Sequence, residues 1–358
     1  MKNVAVVIPA HNEEKVIRAT IRSVAALVGR DNVYIVDDGS KDKTSKIAKR
    51  FTDNVLVLSE NQGKARALNA TIKHFRLTNR YKYIMPIDAD CVVGKDYFVH
   101  AFAILDGDIG KRIACVVGKV VGRNSKWITT YRLWEYEINQ LIHKSAQSLI
   151  GGITVCPGPS TIYRASIFEK LKYSEDTRTE DMDFTFLLHR RKVGKIIYEP
   201  KCRVYTQDPG NLSSYIKQVK RWYTGFWQCI AKHHIPWGAQ VLDFEAALLA
   251  TDGVLNSLLA IYYVFLFPMF LLDKSKFFVL PVAIDLLFFM IPATIYVGVK
   301  EKSVKILGYL PHFYFMRFLG SFVFLYSFLK FSIEVNLKYA KVWDTARYEI
   351  KKEELWVS

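Results

Sequence analysis

Four aspartates that follow two apolar segments are the residues of this sequence with the clearest chemical potential. Asp37 and Asp38 end one segment, and Asp88 and Asp90 follow another. Carboxylates gathered at neighbouring strand ends repel one another unless a cation or a donor-rich ligand offsets their charge. Mg²⁺ or Mn²⁺ meets that need, because such an ion takes one or two carboxylates and leaves positions for phosphate oxygens. The sequence therefore predicts a divalent-cation site, with a helix-capping turn as the structural alternative for Asp88 and Asp90.

A second acidic group, Thr179-Glu180-Asp181, opens a segment with helical periodicity that continues to Arg191. Thr179 is a suitable N-cap residue, and Glu180 and Asp181 favour the positive end of the helix dipole. Helix capping is a sufficient explanation of this triplet when it is considered alone.

Gln218, Arg221 and Trp222 share one face of a predicted helix, because Gln218 lies three residues from Arg221 and four from Trp222. A guanidinium binds a diphosphate in bidentate fashion, and an indole can close over the flat apolar face of a sugar. The alternative is an interfacial helix in which Arg221 extends towards water and Trp222 lies at the depth of lipid headgroups.

Strand and helix patterns alternate four times before Asp88, beginning with the β-branched segment Val4–Ile8. A first helix is predicted from His11 to Leu27, with an acidic first turn. This alternation predicts an open α/β sheet with mostly parallel strands, whose ligands bind beyond the carboxyl ends of the strands. Neither a P-loop nor a Gly-x-Gly-x-x-Gly motif is present, which disfavours kinases and dehydrogenases. Further along, the turn Pro157-Gly158-Pro159 lets backbone approach a ligand closely.

The composition joins 51% hydrophobic residues to a net charge of +16. A basic excess suits a membrane surface, a nucleic acid or a phosphorylated small molecule. Charged residues thin out from Ala246 to Ile333, so the membrane is favoured and no nucleic-acid partner is expected. The five cysteines are widely spaced and are predicted to be reduced, mostly buried thiols. The N-terminus lacks the long apolar region of a signal peptide, so the first domain is expected in the cytoplasm.

Three apolar segments are long enough to span a membrane: Ala247–Leu272, Phe277–Val299 and Leu307–Ile333. Asp252 and Asp285 lie in the first two segments and are predicted to face protein or a polar path rather than lipid. Basic residues after the last segment are expected on the cytoplasmic side, and the number of crossings is left open.

Several motifs occur in the order found in inverting glycosyltransferases of family 2. They are Pro9-Ala10-His11-Asn12-Glu13, Asp37-Asp38-Gly39-Ser40, Gly63-Lys64-Ala65-Arg66-Ala67-Leu68-Asn69, Asp88-Ala89-Asp90, Thr179-Glu180-Asp181 and Gln218-x-x-Arg221-Trp222. The sequence most resembles the membrane-embedded synthases of cellulose, chitin, hyaluronan and poly-N-acetylglucosamine, over roughly 3–228. One departure is Thr206-Gln207-Asp208-Pro209, where relatives have Thr-Glu-x-Pro.

This resemblance implies a GT-A (Rossmann-like) nucleotide-sugar-binding domain, followed by interfacial helices and a C-terminal transmembrane region. The expected divisions are a cytoplasmic catalytic domain at 1–210, interfacial helices at 211–245, transmembrane helices at 246–334 and a basic tail at 335–358.

The resemblance also implies roles for single residues. Asp181 is similar to the base that takes the proton from the acceptor hydroxyl, and Asp90 to the carboxylate that binds Mg²⁺ or Mn²⁺. The residues expected to bind the donor or the acceptor are Pro9, Glu13, Asp37, Asp38, Lys64, Asp88, Glu180, Gln218, Arg221 and Trp222.

The expected function is that of a multi-pass cell-membrane enzyme that moves a sugar from a nucleotide-diphosphate donor, expected to be a UDP-sugar, to a growing glycan. One alternative is a single addition to a polyprenyl-phosphate or other lipid acceptor. Another is a catalytically silent membrane component that binds nucleotide-sugar and regulates a partner, against which the intact Asp88, Asp90, Asp181 and Arg221 argue.

Overall fold

The computed structural model describes residues 3–122, 127–266, 268 and 279–333. Within these ranges eight strands form one sheet. They are β1 (Val4–Ala10), β2 (Val33–Asp38), β3 (Val55–Leu58), β4 (Tyr83–Pro86), β5 (Val92–Val93), β6 (Ile113–Gly122), β7 (Thr161–Arg164) and β8 (Lys195–Thr206), in the spatial order β3-β2-β1-β4-β7-β6-β8-β5.

The sheet is mixed and mostly parallel, as predicted. β1 pairs in parallel with β2 and β4, β2 with β3, and β6 with β8. Antiparallel pairing is confined to β4 with β7, β6 with β7, and β5 with β8. The carboxyl ends of β1, β2 and β4 therefore meet at one edge, where Asp37, Asp38 and Asp88 lie.

Helices cover both faces of the sheet. The helices of the described residues are α1 (Ile17–Val28), α2 (Thr44–Ala48), α3 (Lys64–His74), α4 (Leu77–Arg80), α5 (Tyr97–Gly107), α6 (Trp127–Ile138), α7 (Ser145–Ile150), α8 (Ile167–Lys170), α9 (Glu180–Arg190), α10 (Leu212–Lys232), α11 (Val241–Ile261), α12 (Val279–Ile284), α13 (Ile291–Lys300) and α14 (Leu310–Ile333). π-Helical turns join α6 to α7 (Asn139–Lys144), extend α11 (Tyr262–Leu266) and join α12 to α13 (Asp285–Met290).

β1 shows why the parallel strands have continuous apolar sequences. Val6 and Ile8 pack into a core on one face, while Ala5 and Val7 pack into a second core on the other. Because alternate side chains point to opposite faces, a strand covered on both sides needs an apolar residue at every position.

The first helix begins later than predicted. It starts at Ile17 rather than near His11, and its first turn contains no acidic residue. Asn12 has a left-handed backbone (φ 57°), which interrupts a helix at that point. The backbone N–H of Asn12 donates to Ser40 Oγ at 2.9 Å, and that of Glu13 donates to Thr44 Oγ1 at 2.8 Å. The segment 11–14 is therefore a loop held against the end of β2.

Segment 153–163 combines a Gly/Pro turn with the start of a strand. The strand is limited to Thr161–Arg164, and Cys156 bonds through its N–H to the Thr185 hydroxyl of α9 instead of to a neighbouring strand. Segment 127–150 is helical throughout, with α6, a π-helical turn and α7 following one another. All five cysteines are buried and unbridged, as predicted.

Helix α10 lies between the sheet and the apolar helices. Tyr215 and Val219 of α10 pack in one buried cluster with Phe313 and Met316 of α14 and with Tyr131 of α6. Two helical stretches, Val241–Phe265 and Lys305–Ile333, are long and apolar enough to cross a membrane. The predicted span Phe277–Val299 begins outside the described residues and continues through α12 and α13. The predicted basic tail, 335–358, also lies outside them.

The two acidic residues of the apolar segments have different environments. Asp285 is 6% exposed and faces protein, as predicted, where both of its oxygens accept hydrogen bonds from Arg317 at 2.7 and 2.9 Å. Asp252 is exposed and does not face protein, so whether it faces a polar path stays a prediction. Its carboxylate accepts a hydrogen bond from Asn256, one turn further along the same helix.

Candidate active site

Lys64 joins two of the predicted acidic groups. It is the first residue of α3, and its Nζ lies 2.6 Å from Asp88 Oδ1 and 2.9 Å from Glu180 Oε1. Burial disfavours the charged amine, but Asp88, Glu180 and Asp181 outweigh it and raise the pKa of Lys64 well above its usual value. A fixed cation thus links the carboxyl end of β4 to the start of α9.

Asp181 lies beside this ion pair in the first turn of α9. Its Oδ1 accepts the Met182 N–H at 2.9 Å, and its Oδ2 accepts the Gly158 N–H at 3.3 Å. Burial and the Glu180 carboxylate raise the pKa of Asp181, while Lys64 and Arg221 lower it. The net shift is upward. A carboxylate with a raised pKa accepts a proton more readily, which suits a general base.

Thr179 does not cap α9 with its side chain, contrary to the sequence-based expectation. Its hydroxyl packs against α10, 3.9 Å from Cys229 Sγ. A Cβ at position 225 would lie 2.2 Å from that hydroxyl, so only glycine fits there. The Thr179 side chain therefore packs against α10 instead of accepting a hydrogen bond from the first turn of α9. Glu180 and Asp181 lie in that first turn, as predicted.

Asp37 and Asp38 hold loops rather than joining the other carboxylates. Asp38 is fully buried, and its two oxygens accept the backbone N–H groups of Gln62 at 2.7 Å and Gly63 at 2.8 Å. Asp37 Oδ1 accepts the Ser40 N–H at 3.0 Å. Backbone N–H groups thus offset the negative charges of Asp37 and Asp38, for which the sequence predicted a shared bound cation. Contacts of Asp37 and Asp38 with a nucleotide stay a prediction.

Pro9 and Glu13 lie at the same edge of the sheet. Pro9 pairs with Val36 near the end of β1, and Glu13 is only 2% exposed in the loop that follows. Pro9 and Glu13 lie on either side of His11 in the sequence. Nδ1 of His11 is 2.7 Å from the backbone oxygen of Asp38, so this segment contacts the end of β2. Direct binding of a ligand by Pro9 or Glu13 also stays a prediction.

Asp88 and Asp90 form the candidate metal centre. One ligand atom of each, with the sulfur of Cys91, lies within 4.8 Å of the others. The thiol of Cys91 donates to Asp90 Oδ1 at 3.4 Å. Carboxylate oxygens suit Mg²⁺ or Mn²⁺, whereas a thiol suits softer ions. The donor set therefore fits a hard cation held by Asp90 with Asp88 beside it, and Cys91 orients Asp90.

Helix α10 brings Arg221 to Asp181. Nη1 of Arg221 donates to the Arg178 carbonyl at 3.4 Å, and its charge lowers the pKa of Asp181. Gln218 and Trp222 instead meet Arg132 of α6, with Gln218 Oε1 accepting a hydrogen bond from Arg132 at 2.6 Å. Of the three residues predicted to share one face of α10, Arg221 is therefore the one whose charge acts on Asp181.

Three residues of this neighbourhood have no place among the predicted site residues. A Cβ at Gly158 would lie 2.8 Å from Lys64 Nζ, so glycine is what lets this turn approach the ion pair. Lys144 Nζ donates to the Val155 carbonyl at 2.9 Å, and burial, opposed by Cys156 and Asp181, lowers the pKa of Lys144 to about 8. In the sequence, the Gly/Pro turn indicated the importance of Gly158. Lys144 and Arg132 are isolated basic residues in helical segments and belong to no motif.

The sheet order, the helices on both faces and the acidic groups at the carboxyl edge define a Rossmann-like domain of the GT-A type. Residues 5–172 match the family model described as Glycosyl transferase family 2, and this domain belongs to that family. The family resemblance carried by the sequence motifs is thereby confirmed.

Curated relatives cover part of the chain. A poly-beta-1,6-N-acetyl-D-glucosamine synthase of Staphylococcus aureus (strain COL) is 29% identical over 233 residues, which are 63% of this chain and 55% of that protein. A synthase of the same name from Staphylococcus epidermidis matches to the same extent. The chain thus spans about half the length of the curated relatives it matches, 55% in both cases.

A solved structure extends the likeness to most of the chain. It is a mannosyltransferase from Pyrobaculum calidifontis, in complex with GDP-Man and Mn²⁺, with a TM-score of 0.61. The match covers 90% of this chain and 87% of that one at 16% sequence identity. A likeness at this identity shows that the two chains share a fold.

Proposed function

We propose that this protein is an inverting, metal-dependent glycosyltransferase that moves a sugar from a nucleotide-diphosphate donor to a growing glycan at a membrane. The observation that carries the proposal is the ion pair of Lys64 with Asp88 and Glu180. This ion pair holds Asp88, which follows β4 and is expected to bind the donor, close to the start of α9. Asp181 lies in the first turn of that helix, and its pKa is raised.

The proposed reaction is a single displacement. The acceptor hydroxyl attacks the anomeric carbon of the donor sugar, its proton passes to the Asp181 carboxylate, and the bond from that carbon to the diphosphate oxygen breaks. Gly158 and Met182 hold the Asp181 carboxylate through their N–H groups, so the base is fixed before the acceptor arrives. The proposed role of Arg221, whose charge lowers the pKa of Asp181, is to stabilise the departing diphosphate.

Asp88 and Asp90 are the residues proposed to hold Mg²⁺ or Mn²⁺. Such an ion, when bound, neutralises negative charge on the two phosphates of the donor. Asp90 is 4% exposed and Asp88 is shared with Lys64, so the two side chains are held in place without a ligand. Lys64 adds a positive charge on the same side, where the phosphates are expected.

A glycan acceptor is favoured over a polyprenyl-phosphate or other lipid acceptor. The curated relatives are named as synthases of an N-acetylglucosamine polymer. The face of α10 that carries Gln218 and Trp222 offers amide and indole groups, which suit a sugar chain. UDP-N-acetylglucosamine is therefore the first donor to test.

The apolar helices support a location in the cell membrane. Large apolar side chains of α11, α14 and the π-helical turn at Asp285–Met290 point outward, a pattern unusual for protein in water. Examples are Leu255, Leu258, Phe288, Phe289, Phe315 and Ile333. We propose that 246–334 crosses the membrane more than once, that 211–245 lies at its surface, and that 1–210 and the basic tail 335–358 face the cytoplasm.

A donor panel tests the proposal. Purified full-length protein in detergent is incubated with radiolabelled UDP-, GDP- and dTDP-sugars, a short glycan acceptor, and Mn²⁺ or Mg²⁺. The expected result is transfer from one nucleotide-sugar to give a series of lengthened glycans. A product that carries one sugar on a lipid phosphate would support the alternative acceptor, and no transfer from any donor would contradict the proposed enzyme.

A further inference from the structure

Arg132 is the largest fully buried side chain of the described residues. It lies on α6, where its Nη1 donates to Glu135 Oε2 at 2.6 Å and its Nη2 donates to Gln218 Oε1 at 2.6 Å. The guanidinium carbon is 4.5 Å from the ring centroid of Tyr215 and 4.7 Å from that of Trp222. One planar cation thus contacts two of the three residues on the predicted ligand-binding face of α10.

These contacts need the shape of arginine as well as its charge. A buried charge is costly unless it is paired, and Glu135 supplies the counter-charge. The fork of the guanidinium lets a second nitrogen reach Gln218 while the plane lies against aromatic rings. A lysine ammonium could pair with Glu135, but it cannot make this combination of directed hydrogen bonds and planar stacking.

The bond from Arg132 also fixes which way the Gln218 amide points. Arginine only donates hydrogen bonds, so the carbonyl oxygen of Gln218 must face Arg132. The amide nitrogen of Gln218, with its two donors, is therefore turned away from Arg132. The indole of Trp222 is constrained in the same way, because the guanidinium occupies part of its ring face.

We propose that Arg132 is the positioning residue for the acceptor platform, which we define as Gln218 and Trp222. This inference rests on the proposed function. Arg132 orients the amide donors of Gln218 towards a sugar hydroxyl and leaves the opposite face of the Trp222 indole for the ring of the acceptor. Its effect is exerted through these two side chains, so it concerns the acceptor and not the nucleotide.

The substitution Arg132→Lys tests this role in the full-length protein. The charge beside Glu135 is kept, whereas the bond to Gln218 and the planar stacking are lost. We expect kcat/KM for a short glycan acceptor to fall about tenfold or more, and the Kd of the nucleotide-sugar, measured by calorimetry, to change by less than about twofold.

Arg164→Lys is a matched control. Arg164 is also a largely buried arginine, paired with Asp108 and bonded to the carbonyls of Leu105 and Ile113, but it makes no contact with the acceptor platform. We expect Arg164→Lys to lower the melting temperature and to leave kcat/KM for the acceptor unchanged. A purely structural Arg132 would give this same pattern.

A mutant cycle with both platform side chains removed, Gln218→Ala with Trp222→Ala, provides the readout that general destabilisation would not give. If Arg132 acts through the acceptor platform, Arg132→Lys adds less than about a threefold loss in that background. Losses that multiply in full would overturn the inference, as would an unchanged acceptor kcat/KM or an equal loss of donor affinity.

A second variant covers the case in which Arg132→Lys does not fold. Arg132→Gln combined with Glu135→Gln replaces the ion pair by two amides, so that Glu135 is not left as an unpaired charge. We expect the same selective loss of acceptor use from this protein, and normal acceptor kinetics would overturn the inference. An inactive wild-type protein would instead be a failure of the proposed function, because every comparison here starts from an active wild type.

Discussion

The sheet domain and the apolar helices place their polar and apolar side chains in opposite ways. Every residue of β1 is buried, and the sheet's acidic groups gather where its strands end. In the helices, Leu255 is 58% exposed and Phe288 is 70% exposed, while Asp285 and Ser257 are buried. One region keeps apolar groups inside, and the other keeps polar groups inside.

This difference is the one expected if the two regions lie in different solvents, as the proposed membrane location implies. A protein in water buries apolar side chains, whereas helices in lipid expose them and turn ionisable residues towards one another. In the helical region Arg317 accordingly bonds to Asp285 and Asn256 at 2.7 Å each. In the sheet domain, half-buried ionisable residues instead meet at the candidate active site, as Lys64 and Asp181 do.

The two regions are joined by α6 and α10. Glu137 of α6 is 3% exposed by side chain and pairs with Lys119 of β6 and Lys300 of α13. Arg132 of α6 contacts Gln218 of α10, one turn before Trp222. The residues proposed to bind the acceptor therefore lie where the sheet domain meets the helices, which suits a product made at a membrane surface.

Asp90→Asn tests the polar edge of the sheet. Removing the charge of a nearly buried carboxylate is expected to reduce transfer by about a thousandfold, because the divalent ion loses its main ligand. Transfer is measured with and without EDTA, and Asp96→Asn, an exposed aspartate at the start of α5, serves as the control. Full turnover of the wild type in EDTA would contradict the metal site.

Arg317→Met tests the polar interior of the helices. It leaves Asp285 without its cation, which typically costs about 3–5 kcal/mol in a buried pair. The expected result is a large drop in the melting temperature in detergent. Leu258→Ala, on an outward face with 55% exposure, is expected to change the melting temperature little. If both variants behaved alike, the helices would not have the inverted arrangement.

Trp222→Ala tests the junction. The loss of a stacking surface is expected to weaken acceptor use about tenfold, which is ~1.4 kcal/mol, with a smaller effect on donor affinity. Trp227→Phe is a matched control on the same helix, since Trp227 packs on Phe324 and Phe328 of α14. Equal losses of donor affinity and transfer would argue that Trp222 is merely structural.

Glu180→Gln tests the electrostatics of the base. Glu180 raises the pKa of Asp181, and Asp181 must be ionised to accept a proton, so activity rises with pH through that pKa. Removing the Glu180 charge lowers the pKa of Asp181, and the acid limb of the rate profile is expected to move to lower pH. Glu175→Gln, on an exposed ion pair with Arg66, should leave the limb in place.

The strands were predictable because their signal is local. Each parallel strand is an apolar segment that ends in a polar turn, and this pattern follows from burial on both faces. The start of α1 was predicted wrongly because Asn12 and Glu13 bond to the 40–44 loop, which lies near in space and distant in sequence. Side-chain partners across the fold also explain why Thr179 packs on Gly225 instead of capping α9.

The candidate site was predictable to the extent that motifs mark it. The motifs led to Lys64, Asp88, Glu180 and Asp181, which the structure brings together. No motif marks Arg132, because a single arginine on an amphipathic helix resembles a surface cation in sequence. Its burial depends on Tyr215 and Gln218 of α10, and Gln218 is 86 residues further along the sequence.

Asp181→Asn asks whether Asp181 is the base of the proposed glycosyl transfer. Asparagine is close in size and its one oxygen can keep the shorter of the two bonds, from the Met182 N–H, while the 3.3 Å bond from Gly158 is lost; the variant should therefore still fold and enter the membrane. Donor affinity by calorimetry and transfer by product release are measured on the same detergent preparation. If Asp181 is the base, donor affinity is expected to stay near native while transfer falls about 10²- to 10⁴-fold. Near-native transfer by the folded variant would mean that another group is the base.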